Sequence, residues 1–450
     1  MKDRLIISRR FLARMDWWLI LAAFGLLLFG LAGVYSATMR QGIPEVYLFR
    51  QISYIFFGIF FLILVVSVNY QFLFGLGNIV YLFSTFLLIA VLLFGTTLRG
   101  TRGWFHLIYF YFQPTEITKF LFIIFLAELM VKNWRNIVHW RSLIYPTAML
   151  LFQVFLILLQ PDFSATLVYF PVFLTILFLA GARLLHLLVI ILFGLLAGGI
   201  PLISTLAGLE LKVITDPFWL KVWKAIFLVT AGGQYTLLTT GAIVLLIFFF
   251  WYILSQLRYR IPFIYALVLS LIIISGTVAS RMVVHSLKEY QRRRLIVFLS
   301  PSTDPLGAGY NVLQSKIAIG SGGIFGRGLF GGTQSHLGFL PEQHTDFIFA
   351  VIAEELGFLG SLWLLSFYFL LVYRAYIIAR DARDKFGSLI AAGICSAFAF
   401  YGIINVGMVL GLMPATGLPL PFVSYGGSQI VGSFIALGLL LNIRIRKFTV

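Results

Sequence analysis

The sequence predicts an all-α polytopic membrane protein: a bundle of about twelve transmembrane helices with a large extracytoplasmic loop. Three observations carry this. Of 450 residues, 61% are hydrophobic and 11% charged, with a mean hydropathy of +1.00, whereas soluble chains are roughly half apolar and a quarter charged. About 20 apolar residues cross a hydrocarbon core about 30 Å thick, and such runs recur along the chain with only short polar breaks. Lysine and arginine gather in alternate breaks, as they do in cytoplasmic loops.

The expected spans are 17–36, 51–68, 77–95, 114–131, 143–159, 163–181, 184–203, 235–255, 262–284, 346–373, 387–413 and 427–443. Residues 1–14 form a basic leader before an apolar run too long for a signal-peptide core, which reads as an uncleaved first span. An even count places both termini on one side. Lys2, Arg4, Arg9, Arg10 and Arg14 at one end match Arg444, Arg446 and Lys447 at the other, so that side is expected to be cytoplasmic. The inside loops carry Lys132, Arg135, Arg141, Arg183, Arg258, Arg260, Arg374, Arg380, Arg383 and Lys385, and the one near Asn69 carries none. Segments 96–113, 160–162, 204–234, 285–345 and 414–426 then lie outside. Residues 218–229 mix aromatics with Lys221 and Lys224 and read as a short interfacial helix, while most tryptophans fall near interfaces, as anchors.

The formal charge of +17 does not point to nucleic acid, because the basic residues lie between hydrophobic runs and form no long tail. Cys395 stands alone, which excludes an internal disulfide or a cysteine-based metal site.

The chemistry concentrates in residues 336–357, HLGFLPEQHTDFIFAVIAEELG, where a polar loop turns into an apolar helix. Asp346 at the junction reads either as a helix cap or, crowded with Glu342 and His344 before a membrane segment, as a chemical site, since ionisable groups there are expensive and functional. In 99–119, RGTRGWFHLIYFYFQPTEITK, Glu116 and Lys119 share a helix face. They read as a neutralising ion pair, or as a pair that lets Lys119, with Arg99 or Arg102, face an anionic ligand. Asp162, in QPDFSAT, begins the sixth span and can cap it.

Glu128, Glu354 and Glu355 lie deeper and need partners. At about 100° per residue, Glu354 falls roughly 80° from Asp346 and about 12 Å along the helix, so it is the glutamate expected to share the Asp346 cavity. The loop 285–345 is long enough to be functional, and Arg292, Arg293 and Arg294 within it run against the charge rule, reading as a solvated face, a lipid headgroup contact or a diphosphate site. The glycine-rich run 320–332 lacks nucleotide-loop context and reads as flexible backbone that permits close approach. Residues 414–428, PATGLPLPFVSYGGS, are irregular backbone at membrane depth, tolerated where they line a cavity; they are expected to form a rigid wall carrying Tyr425.

Taken together, QPTEITK, QPDFSAT, STDPLGAGYNVLQSKIAIGSGG, GTQSHLGFLPEQHTDFIFAVIAEELGFLG and GLPLPFVSYGGS resemble the SEDS family (shape, elongation, division and sporulation) of integral-membrane peptidoglycan glycosyltransferases. They occur in the family's order, and GTQSHLGFLPEQHTDF looks more like its rod-shape members than its division members. The resemblance implies an enzyme polymerising lipid II at the outer face of the cytoplasmic membrane, Asp346 as the essential loop aspartate, positions tied to function or stability at Asp162, Glu116 and Lys119, and a class B penicillin-binding protein as partner. The sequence departs from the pattern at Gly103, where the family often has arginine, and at Phe163 and Ser164, which replace Leu-Gly. Residues 204–284 read as a helix pair added to family-like regions 1–203 and 285–450 of one membrane domain.

The expected mechanism makes Asp346 a general base for the acceptor hydroxyl, with Arg102, Lys119, Arg292 and Arg293 as candidate holders of the leaving diphosphate, and Glu116, Asp162, Glu342, His344 and Tyr425 lining the substrate cavity. A divalent cation, Mg or Mn, is a candidate assistant. Two other readings stand beside it: a lipid-linked sugar flippase, and a scaffold for a transpeptidase.

Overall fold

The computed structural model describes residues 14–39, 42–98, 101–107, 110–213, 217–230, 233–257, 262–286, 308–337, 339–340 and 342–447. In chain order its α-helices are α1 (Trp17–Thr38), α2 (Pro44–Ser67), α3 (Gly77–Phe94), α4 (Thr115–Lys132), α5 (Arg141–Leu159), α6 (Phe163–Leu179), α7 (Leu184–Val213) and α8 (Pro217–Thr230). They continue as α9 (Gln234–Gln256), α10 (Phe263–Ser286), α11 (Ala308–Gly322), α12 (Thr333–Leu337), α13 (Ile348–Asp381), α14 (Lys385–Val409) and α15 (Gly427–Arg446). Each expected span coincides with a helix, and the fold is all-α and polytopic. Among the described residues, eight helices are long and apolar enough to cross a membrane, with shorter apolar stretches in α6, α7 and α10. α4 carries Glu116, Lys119, Glu128 and Lys132 and is mostly buried among other helices.

The residues up to Ala182 and from Tyr310 onward form one compact unit, and Arg183–Gly309 a second. In the first, α1 lies along α13, α2 along α15, and α14 against α4, α6 and α13. Small residues permit the close approaches, as in other membrane helix pairs. Gly33 of α1 faces Ile348 and Ile352, and Gly393 of α14 faces Ile123 and Ile176. In the second unit, α7 packs on α8 and α10, and α9 on α8 and α10.

Three connections differ from expectation. Segment 96–113 holds a three-stranded antiparallel sheet, β1 (Thr96–Leu98), β2 (Thr101–Leu107) and β3 (Phe110–Phe112), with Thr96 opposite Trp104 and His106 opposite Tyr111. Its threonines and aromatics are strand formers. Second, α7 runs on to Val213 instead of ending near 203, continuing through the Gly198, Gly199 and Pro201 positions where a stop is expected. Third, 285–345 is not structureless, since α11 and α12 lie within it.

α13 is interrupted at Gly357, whose φ 65 and ψ −161 lie in a region essentially reserved for glycine. The break opens the ladder, and the glycine-rich run fills it. Arg327 and Gly328 donate their N–H groups to the carbonyls of Glu354 and Glu355 at 3.1 and 2.9 Å, while Phe358 and Leu359 donate to Gly323 and Ile324 at 2.9 and 3.1 Å. The run thus satisfies the helix-end groups by close backbone approach: a Cβ on Gly357 would come 2.6 Å from the Ile324 oxygen.

Candidate active site

Asp346 lies in the turn that leads into α13. Glu342 opens this turn with φ 52, an uncommon conformation for a residue with a side chain, and its carbonyl accepts the N–H groups of Thr345 and Asp346, each at 3.2 Å. The helix begins at Ile348 with Phe347 at its N-cap and no side-chain cap bond. Asp346 therefore stands one residue before the N-cap, outside the helix, and the angular argument linking it to Glu354 loses its basis.

The turn is held from outside by three successive carbonyls. That of His344 accepts from the Tyr425 N–H at 2.9 Å, that of Thr345 from the Ser424 hydroxyl at 2.7 Å, and that of Asp346 from the Asn405 side-chain amide at 2.9 Å. The holding segment, 414–428, is itself fixed. Asn405, Gln51 and Gln429 donate to the carbonyls of Leu418, Ser424 and Pro419 at 2.7, 3.2 and 2.9 Å, and Gly30 of α1 lets Val423 approach so closely that a Cβ would meet its oxygen at 2.7 Å. Phe422 within it has φ 64. Strained residues of this kind persist only where the surroundings over-determine them, and they gather at functional sites.

Over this turn the rings of Tyr47, His344 and Tyr425 meet edge to face, with centroids 5.3–5.6 Å apart. Burial, then the neighbouring Tyr54, pushes the Tyr425 phenol well above its usual pKa, while the nearby Arg50 pulls the other way. Arg50 is a cation that sequence reasoning missed. It sits one residue before the second expected span and was passed over as a flank.

A second polar cluster stands on α4, α6 and α14. Lys119 pairs with Glu116 and donates to the hydroxyl of Tyr401, over whose ring its ammonium lies 4.3 Å from the centroid. Asp162 is the N-cap of α6, accepting from Ala165 N–H at 3.1 Å and from the Gln113 amide at 2.9 Å. Burial is the main cause that pushes its carboxyl up to about 6, with Glu116 adding to it and Lys119 opposing. Capping and membership of a charged cluster coincide here.

The two clusters are joined through 414–428 and α14. Ser428 accepts the Gln113 N–H at 2.7 Å, and Ser164, one of the family departures, donates to the Thr416 carbonyl. Arg102 is placed differently: its guanidinium donates to the carbonyls of Leu93 and Gly95 at 3.1 and 3.2 Å, closing the C-terminal end of α3 as a basic group there does. Arg292, Arg293 and Arg99 lie outside the described residues.

The deep glutamates hold chain ends. Glu128 accepts the Gly77 N–H at 2.6 Å and pairs with Lys132. Glu354 accepts from Gln334 and Ser335 N–H at 2.7 and 3.1 Å, at the start of α12, and so is engaged away from Asp346. Glu355 accepts from Ser36 of α1. Among the described residues no three His, Cys, Asp or Glu side chains gather as a metal-binding group.

This is a multi-pass membrane protein with a turn-borne carboxylate set in a rigid, proline-broken wall. The chain belongs to the cell cycle protein family of FtsW, RodA and SpoVE, whose profile matches residues 13–225 and 214–448. It is 34% identical over 449 residues to the peptidoglycan glycosyltransferase RodA of Treponema pallidum (strain Nichols), covering 96% of this chain and 98% of that one. It is 31% identical over 434 residues to the peptidoglycan glycosyltransferase MrdB of Escherichia coli (strain K12), covering 96% and 94%. To stage V sporulation protein E of Bacillus subtilis (strain 168) it is 30% identical over 436 residues, covering 95% and 96%. Among solved structures, a chain from a peptidoglycan synthase complex that coordinates polymerization and crosslinking superposes with a TM-score of 0.64 at 28% identity, over 97% of this chain and 99% of that one. The rod shape determining protein RodA of Thermus thermophilus shares the fold, with a TM-score of 0.58 at 23% identity over 97% and 98%.

Proposed function

We propose that this protein is a peptidoglycan glycosyltransferase that polymerises lipid II into glycan strands during cell elongation, with Asp346 as general base. The observation that carries the site assignment is the fixation of the Asp346 turn through three consecutive carbonyls, which gives a carboxylate at a membrane edge the rigidity that catalysis requires. Asp346 takes the proton from the acceptor sugar hydroxyl. The oxygen attacks the anomeric carbon of the donor, and undecaprenyl diphosphate leaves with the bonding pair. A base within hydrogen-bond reach serves this step.

Cationic groups beside the cavity stabilise the departing diphosphate. Arg50, next to Tyr425, joins Arg292 and Arg293 in this role. Lys119, tied to Glu116 and Tyr401, serves chiefly to order the wall on the Asp162 side. Arg102 acts through the shape of α3 and the sheet. Glu342, His344 and Tyr425 frame the acceptor. A divalent cation, Mg or Mn, would need diphosphate oxygens to complete its coordination, so no step is assigned to it.

The site faces the outside of the cytoplasmic membrane, with both termini inside, because basic residues mark the opposite loops. The partner is a class B penicillin-binding protein, a reading supported by the likeness to a chain from a synthase complex. A flippase would draw on buried carboxylates such as Glu128, Glu354 and Glu355, and each of these accepts from a donor within the fold. Purified protein supplied with lipid II, with and without the partner, tests the proposal. Glycan polymer supports it, and translocation of lipid II without polymer overturns it. A scaffold would leave glycan synthesis unchanged when Asp346 is replaced.

A further inference from the structure

Asn405 lies in the apolar run of α14 and is fully buried, with 0% exposure. A carboxamide in such a place costs free energy unless its groups are bonded. Its side-chain N–H2 group is fully used, one hydrogen going to the Asp346 carbonyl at 2.9 Å and the other to the Leu418 carbonyl at 2.7 Å. Its Oδ1 has no hydrogen-bond partner among the described residues. A residue retained only for packing would be served as well by leucine, which has a similar volume and no orphaned acceptor. The donor side must carry the value of the residue.

We infer that Asn405 is a positioning residue for Asp346: its amide pins the Asp346 carbonyl to the Leu418 carbonyl, and so fixes where the carboxylate points relative to the 414–428 wall. This rests on the reading of Asp346 as the base. One donor group bridges two backbone segments that are otherwise joined at the neighbouring residues, through Ser424 and Thr345 and through Tyr425 and His344. Those two bonds set the height of the turn. The Asn405 bond is made at the reacting residue itself, and it stops the peptide after Asp346 from rotating.

The bond also reaches the second cluster. Tyr401, whose hydroxyl accepts from Lys119 and donates to Glu116 at 3.3 Å, is four residues earlier on α14, and such residues are neighbours on one helix face. A shift of α14 therefore moves both clusters together, and Asn405 transmits it to Asp346.

The test uses the full chain with its class B partner, in nanodiscs, with lipid II as substrate. Asn405→Leu should still fold, with a modestly lowered unfolding midpoint, because the orphaned Oδ1 is gone but the Asp346 and Leu418 carbonyls lose their donor. Its turnover at saturating lipid II should fall about a hundredfold, the scale for misplacing a reacting group by about 1 Å, with KM within about twofold. In an Asp346→Asn background the same substitution should cause no further loss, since there is no base left to position. Parent-like turnover in Asn405→Leu, a loss confined to KM, or an equal additional loss in the Asp346→Asn background overturns the inference. Asn405→Ala, which removes the donor without adding bulk or charge, decides the matter by the same criteria should the leucine variant fail to fold. An active Asp346→Asn enzyme would instead refute the base assignment, independently of Asn405.

Discussion

Tyr401 and Asn405 stand one turn apart on α14, and the first carries the Glu116–Lys119 pair while the second holds the carbonyl of Asp346. A single helix face thus connects a buried ion pair with the turn that bears the Asp346 carboxylate. The Asp162 cap belongs to the same assembly, through its electrostatic coupling to Glu116 and Lys119.

Asp346→Asn preserves size but cannot accept a proton at neutral pH. Expression and partner binding should stay near normal, while polymerisation falls by about two to four orders of magnitude, the range for loss of a general base. Glycan synthesis above about a tenth of the parent rate by well-folded protein would mean that the proton goes elsewhere.

Lys119→Met leaves Glu116 buried without its cation. Breaking one side of a buried pair costs about 3–5 kcal/mol, so this variant should show a sharply lowered unfolding midpoint. Adding Glu116→Gln should recover part of the loss. A Lys119→Met protein as stable as the parent would show that the pair is dispensable.

Asp162 has its carboxyl raised from the ordinary 3.8 to about 6, so its contribution to stability is complete below about pH 4 and is lost as pH rises through about 6. The difference corresponds to about 3 kcal/mol, at 1.36 kcal/mol for each tenfold change. The stability of the parent, followed from pH 4 to 7, should therefore fall relative to that of Asp162→Asn, which has no group to titrate there. A parent and variant that run parallel over this range would contradict the raised value.

Gly357→Ala puts a side chain into a glycine-only backbone region and against the Ile324 carbonyl. A residue held in such a region costs of order 1–3 kcal/mol. The expected result is release of the 322–328 run, read as faster proteolysis between α11 and α12. Unchanged digestion would show that the break in α13 can relax.

Orientation is open to direct labelling. In a Cys395→Ala background, Phe325→Cys, at a residue that is 79% exposed, should react with an impermeant maleimide added outside, and Arg135→Cys only from the cytoplasmic side. The reverse pattern would invert the topology.

The spans were legible because lipid demands about 20 apolar residues per crossing, a signal written locally in the chain. Asp346, Asp162 and the Glu116–Lys119 pair were legible as polar residues at helix starts. The parts that stayed hidden depend on contacts between distant residues. Asn405 is one asparagine in an apolar run, and its partner Asp346 is 59 positions away. Glu354 was assigned to the wrong neighbourhood because the helix begins two residues later than the apolar pattern does, and because the start of α12, which claims its carboxylate, cannot be read from α13. The sheet was missed because the strands of 96–112 are short and were treated as a connection between spans.

The grip of residues 405–425 on the carbonyls of 344–346 also dictates when the enzyme can begin to work. A ribosome adds about 5–20 residues per second, and everything from the first helix to the Asp346 turn is made before Asn405, Ser424 and Tyr425 exist. A nascent chain already inserted through α13 thus holds Asp346 without the partners that fix its turn. If Asp346 is the base proposed above, competence arrives late, with the last two helices, and a product terminated before them is expected to occupy the membrane without polymerising glycan.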